Sequence, residues 1–89
     1  MSDIPDYPSS GRLTMKDLLE TIVKALVDNP SEISVREIQG EKSTILELKV
    51  HEDDVGKVIG KQGRIINALR TILRSAAVKE GKIVQLELL

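Results

Sequence analysis

Two glycines three positions apart, Gly60 and Gly63, stand between two helix-patterned runs, so one continuous helix is not the natural reading of residues 55 to 77. Residues 55–59 form a short helical run before them. A longer run begins near Arg64, with Ile65, Ile66, Leu69, Ile72, Leu73, Ala76 and Ala77 at helical spacing. Projected at 100° per residue, these seven span roughly 140° of the helix, with Arg64, Arg70 and Arg74 outside that arc. The segment Gly60-Lys61-Gln62-Gly63 is therefore a tight corner between two helices.

The rest of the chain supplies what those helices pack on. Thr14 reads as an N-cap with Asp17 three residues on, and Met15, Leu18, Leu19, Ile22, Val23, Leu26 and Val27 form one apolar stripe. Asn29-Pro30 ends that helix. Ile33, Val35 and Glu37 share a parity that Ile38 breaks, predicting a twisted or bulged first strand, and Gly40-Glu41 reads as a two-residue turn. In the next strand Leu46, Leu48 and Val50 point inward. One of the aspartates in Glu52-Asp53-Asp54 is expected to cap the short helix, and Gly81 to end the long one. A final strand follows from Ile83, with Leu86 and Leu88 inward.

The order α-β-β-α-α-β predicts an α/β chain built as an α+β two-layer sandwich, with helices on one face of a three-stranded sheet. The last strand is reached across a helical crossover, which favours parallel pairing and makes the sheet mixed. Residues 1–13, with Pro5, Pro8, Ser9, Ser10 and Gly11, read as a flexible N-terminal arm, and residues 14–89 as one domain.

Charge is concentrated at the corner. The chain carries a net charge of -1, yet residues 55–79 hold Lys57, Lys61, Arg64, Arg70, Arg74 and Lys79 with no acidic residue. The remainder is strongly acidic, so the basic block points to a localised anionic partner. Two glycines admit an anionic backbone without a Cβ in the way, and the helix starting at Arg64 turns its positive dipole end to the same place. On this reading Lys61 is the main contact and Lys57, Arg64 and Arg70 add electrostatic support. Gln62 donates to a phosphate or a base. Val58, Ile59 and Ile66 are candidates for an aliphatic groove floor, and the hairpin edge for backbone hydrogen bonds to unstacked bases.

Other chemistries fall away. There is no cysteine, and His51 is the only histidine, which leaves no thiolate or histidine-rich metal site. Glu52, Asp53 and Asp54 read as a solvated turn rather than a magnesium site, and His51 lacks the partners of a general base. Gly56 to Lys61 is one residue short of a P-loop, and Gln62 stands where its magnesium-binding hydroxyl belongs. Tyr7 is the only aromatic, so bases are not read by stacking on rings. The chain reads as a binding module rather than an enzyme, with no cofactor, no metal and no membrane segment, working in the cytoplasm.

The run Val58-Ile59-Gly60-Lys61-Gln62-Gly63-Arg64-Ile65-Ile66 resembles the signature of KH domains, in which an isoleucine-glycine-x-x-glycine segment joins two helices. The helix-first order resembles the type II form. The lead-in Asp54-Val55-Gly56-Lys57 and the continuation Asn67-Ala68-Leu69-Arg70 are similar to the small stand-alone bacterial KhpA-like members. The resemblance implies a single KH domain over residues 14–89 that binds single-stranded RNA, as an RNA chaperone or post-transcriptional regulator. Gly60, Lys61, Gln62 and Gly63 would then grip phosphates, Ile59 and Ile66 would support the loop, and Asn67 would join Lys57, Arg64 and Arg70 at the site. It also implies a homodimer and/or a heteromer with a KhpB (Jag/EloR)-like protein, and links to cell shape and cell wall biogenesis. Two alternatives remain: a protein-interaction or dimerisation module with weak RNA binding, and a duplex DNA-binding protein using Arg64, Asn67, Arg70 and Arg74.

Overall fold

Thr14 opens the first helix, α1 (Met15–Leu26), through a reciprocal capping box. The Asp17 amide donates to Thr14 Oγ1 at 3.1 Å, and the Thr14 amide donates to Asp17 Oδ2 at 3.1 Å. In the computed structural model residues 14–89 are described, and the expected arm over residues 1–13 lies outside them. The α1 stripe buries Met15, Leu19 and Val23. The helix ends before Asn29-Pro30, which leads into a short 3-10 turn at Pro30–Glu32.

Two strands follow, β1 (Ser34–Gln39) and β2 (Ser43–Lys49), paired antiparallel without interruption from Ser34↔Lys49 to Gln39↔Thr44. Of the twist or bulge expected there, the bulge is absent. Ile38 stands 39% exposed on the helix-free face, opposite its cross-strand partner Ile45, so the sequence parity breaks while the pairing does not. The turn also differs from the Gly40-Glu41 expectation. Its tip is Glu41-Lys42, closed by the Gly40 amide donating to the Ser43 carbonyl at 2.7 Å. The Ile83 amide donates to the Lys42 carbonyl at 2.9 Å, and this long-range bond pins the tip.

After β2, His51 caps a 3-10 turn at Glu52–Asp54, its Nδ1 accepting from the Asp53 amide at 3.1 Å. Helix α2 (Val55–Ile59) grows directly from this turn with no side-chain cap, contrary to the expected aspartate cap. Asp54 is instead fully buried and faces elsewhere. Helix α3 (Arg64–Lys79) buries Ile66, Leu69, Leu73 and Ala77. Ile72, expected in the same stripe, is 43% exposed, on a flank of α3 that lines an open groove against the start of α1. Gly81, at φ 69°, ends α3 as expected: the Lys82 amide donates to the Ala77 carbonyl at 2.9 Å and the Gly81 amide to the Val78 carbonyl at 3.1 Å.

Strand β3 (Ile83–Leu88) pairs parallel with β2, giving the sheet order β1-β2-β3. Leu46, Leu48, Val35, Val84 and Leu86 meet the helical stripes in one core, while Arg36, Lys49, Gln85 and Glu87 lie exposed on the opposite side. The α-β-β-α-α-β order over a three-stranded mixed sheet is the type II KH topology. Among the described residues no helix is long and apolar enough to cross a membrane.

Candidate nucleic-acid interface

The corner between α2 and α3 is built on three positive-φ backbone positions. Gly60 has φ 75° and ψ 175°, Gln62 has φ 58° and ψ 27°, and Gly63 has φ 72° and ψ 16°. Gln62 is the only non-glycine with positive φ among the described residues. Lys61 and Gln62 form the exposed tip. No side chain caps α3, so the start of a 16-residue helix faces the same solvent as the tip. Arg64 is exposed and its guanidinium donates to Gln62 Oε1 at 3.4 Å. One to two turns further on, Arg70 donates to Asn67 Oδ1 at 3.3 Å. Lys61, Gln62, Arg64, Asn67 and Arg70 thus share one surface that begins at the loop.

The aliphatic candidates divide. Val58 is fully buried and Ile66 is 6% exposed, so both belong to the core that holds the corner rather than to a groove floor. Ile59 is half-buried and packs against the same core. A groove does exist, about 560 Å³ in volume, but it lies between α3 and β3. Its floor includes Leu73, Ala77, Val84 and Leu86, with Arg70 and Arg74 on the helical rim. The other rim is the outer edge of β3, which among the described residues pairs with β2 alone. The expected source of backbone hydrogen bonds, the hairpin edge at β1, is on the far side of the sheet. The β3 edge had a signal in the sequence, the crossover itself, since a strand added last in parallel beside a hairpin can stand at the edge of the sheet.

Lys57 departs most from expectation. Its Nζ lies 2.7 Å from Asp28 Oδ2 and 3.6 Å from Asp54 Oδ1, so two carboxylates already offset its charge. Its pKa is raised, chiefly by the hydrogen bond to Asp28. Asp54 was not foreseen as a structural centre. It accepts from the Asp28 amide at 3.2 Å, the Asn29 amide at 2.9 Å and Asn29 Nδ2 at 3.0 Å. Sequence alone carried no sign of this, because the partners are 25 and 26 positions away. Burial pushes the Asp54 carboxyl up, but the hydrogen bonds from Asp28 and Asn29 and the Lys57 charge outweigh it and hold it below 3.8.

A carboxyl depressed in the folded chain stabilises it above the unfolded value of 3.8, and that contribution is lost as pH falls through the lower folded value. Asp17, also held below 3.8 by its hydrogen bonds with Thr14, acts in the same direction. Thermal unfolding between about pH 6 and pH 2 is expected to show stability falling over the acid end of that range, with a flatter profile for Asp54→Asn.

The KhpA/KhpB KH-domain profile matches residues 16–88 of this chain. The RNA-binding protein KhpA of Clostridium acetobutylicum is 61% identical over 75 residues, covering 84% of this chain and 100% of that protein. The RNA-binding protein KhpA of Clostridium perfringens is 56% identical over 75 residues, with the same coverage of 84% and 100%. Among solved structures, Aquifex aeolicus Era bound to GDP and aluminium fluoride superimposes with a TM-score of 0.58 at 23% identity. That likeness covers 97% of this chain and 32% of the Era chain, and it concerns the fold alone.

Proposed function

This chain belongs to the KhpA/KhpB KH-domain family, and from that premise we propose that it is a non-enzymatic RNA-binding protein that grips single strands by their backbone at Gly60–Gly63. One observation carries the reading: the glycine corner presents exposed Lys61 and Gln62 at the uncapped start of α3, directly beside Arg64 and leading to the α3–β3 groove. Phosphates seat on the loop and the helix start, with Lys61 as the main contact and Arg64 and Arg70 in support. Asn67 orients Arg70, and Gln62 donates to a phosphate or base. Gly60 and Gly63 permit close approach, and Ile59 and Ile66 hold the corner from beneath. Lys57, already paired, contributes little free charge. Bases lie over the groove floor and meet the β3 edge, which suits unpaired bases better than a duplex.

Such a site covers few nucleotides, because β3 is only six residues long. Pairing of two such domains, as a homodimer and/or with a KhpB (Jag/EloR)-like protein, raises effective affinity without new contacts. On this reading the chain acts in the cytoplasm as an RNA chaperone or post-transcriptional regulator, with consequences for cell shape and wall synthesis.

Binding to labelled single-stranded RNA across a salt series tests the proposal, with duplex RNA and duplex DNA as controls. About three phosphate contacts predict a slope of roughly -2 in log K against log salt. Preference for duplex DNA would transfer the function to a groove-reading α3. No binding by the folded protein to any of the three would leave the protein-interaction reading.

A further inference from the structure

Helix α2 has five residues, far too few to hold a helix in water unaided, so its direction is set by whatever fastens its ends. Its C-terminal end is held by fully buried Val58 and by Gly60, which packs closely under Ile65. Its N-terminal end has no cap of its own. What stands there is Asp54, a fully buried carboxylate bound to three N–H donors from the segment leaving α1. Lys57, one turn into α2, closes the arrangement by bridging Asp54 and Asp28. A buried carboxylate is tolerated only when its oxygens are satisfied, so this contact has little freedom to slip.

We propose that Asp54 is the positioning residue of the RNA-binding loop: with Asn29, Asp28 and Lys57 it clamps the exit of α1 to the base of α2 and so fixes the angle at which Gly60–Gly63 meets a phosphate backbone. The inference rests on the loop being the RNA seat. It gives Lys57 a different place from Lys61. Lys57 belongs to the clamp, while Lys61 faces the ligand. It also accounts for a charge pattern that a phosphate site alone does not explain, in which one lysine of the basic block is turned back onto two carboxylates.

The test uses the full chain carrying Asp54→Asn, which keeps the shape but replaces one acceptor oxygen with a donor facing other donors. Temperature is set where thermal unfolding shows the variant folded. Two quantities are measured: affinity for single-stranded RNA across salt, and amide hydrogen exchange along the chain. The clamp predicts about tenfold weaker binding, by analogy with the loss of metal affinity when a hydrogen-bond partner behind a metal-ligating side chain is removed. The salt slope stays unchanged, because Lys61, Arg64 and Arg70 are all still present. Exchange quickens at residues 55–65 while the amides of α1 and β2 keep their protection. Unchanged affinity, or faster exchange spread evenly over the chain, overturns the proposal. If Asp54→Asn does not fold, Asn29→Ala removes a single side-chain donor and is expected to give the same local pattern in weaker form. If the unaltered protein binds no RNA, the functional reading fails, and the exchange pattern alone decides whether the clamp holds α2.

Discussion

Replacing Lys61 and Gln62 together by aspartate is expected to weaken single-stranded RNA binding by about a hundredfold or more while leaving the chain folded. The substitution changes the loop by three units of charge, two at Lys61 and one at Gln62. At short range in water each unit against a phosphate is worth about 1 kcal/mol, and about 3 kcal/mol corresponds to a factor somewhat above one hundred. Nothing in the fold leans on either side chain. Both are exposed, and the substitution breaks just the 3.4 Å hydrogen bond from Arg64 to Gln62. Aspartate also suits the left-handed conformation that Gln62 adopts at φ 58°, since its short polar side chain tolerates that region. Circular dichroism and thermal unfolding should therefore match the parent while a binding titration collapses. Retained binding by the folded double variant would move the RNA seat off the loop.

This loop was legible in the sequence because its requirements are local. Two of its three positive-φ positions are glycines, Gly60 and Gly63 at φ of 75° and 72°, while the third, Gln62 at 58°, carries no such signal in its residue type. The same holds for the α1 capping box, where Thr14 and Asp17 are three residues apart, and for the inward alternation of Leu46 and Leu48. What escaped the sequence depends on distant partners. The hairpin tip is fixed by a bond between Lys42 and Ile83, and the groove exists only because β3 arrives at the edge beside α3. Lys57 looks like every other cation of the basic block until α1 brings Asp28 to its side. Asp54 reads as one more acid in a solvated turn, and only tertiary structure turns it inward.

Gly60→Ala is expected to be the most damaging single change at the corner, and the glycines around it should rank in a definite order. At Gly60 the backbone, φ 75° and ψ 175°, lies in a region that side chains other than hydrogen occupy at a cost of about 1–3 kcal/mol. An added Cβ would also sit 2.6 Å from Ile65 Cγ1 and 2.9 Å from Ile65 Cβ and Cδ1. A rotamer change moves Cγ1 and Cδ1 but not Cβ, so α3 itself must shift, and overpacking of that kind adds about 1–3 kcal/mol. The total, about 2–6 kcal/mol, is a large share of what a domain this size has. Gly63→Ala meets only Asn67 Nδ2 at 3.7 Å and Ile66 Cγ2 at 3.9 Å, so its cost is the left-handed backbone alone, about 1 kcal/mol. Gly56→Ala lies inside α2 with nothing within 4 Å and should stabilise the chain by about 0.5–1 kcal/mol. Denaturant unfolding of the three variants should give Gly56→Ala above the parent, Gly63→Ala below it and Gly60→Ala lowest. Adding Ile65→Ala to Gly60→Ala separates the two costs at that position. It removes Cγ1 and Cδ1 but leaves Cβ and the backbone angle, so the pair should be less unstable than the sum of its single changes. Simple additivity would mean that Ile65 is not what forbids a side chain at Gly60.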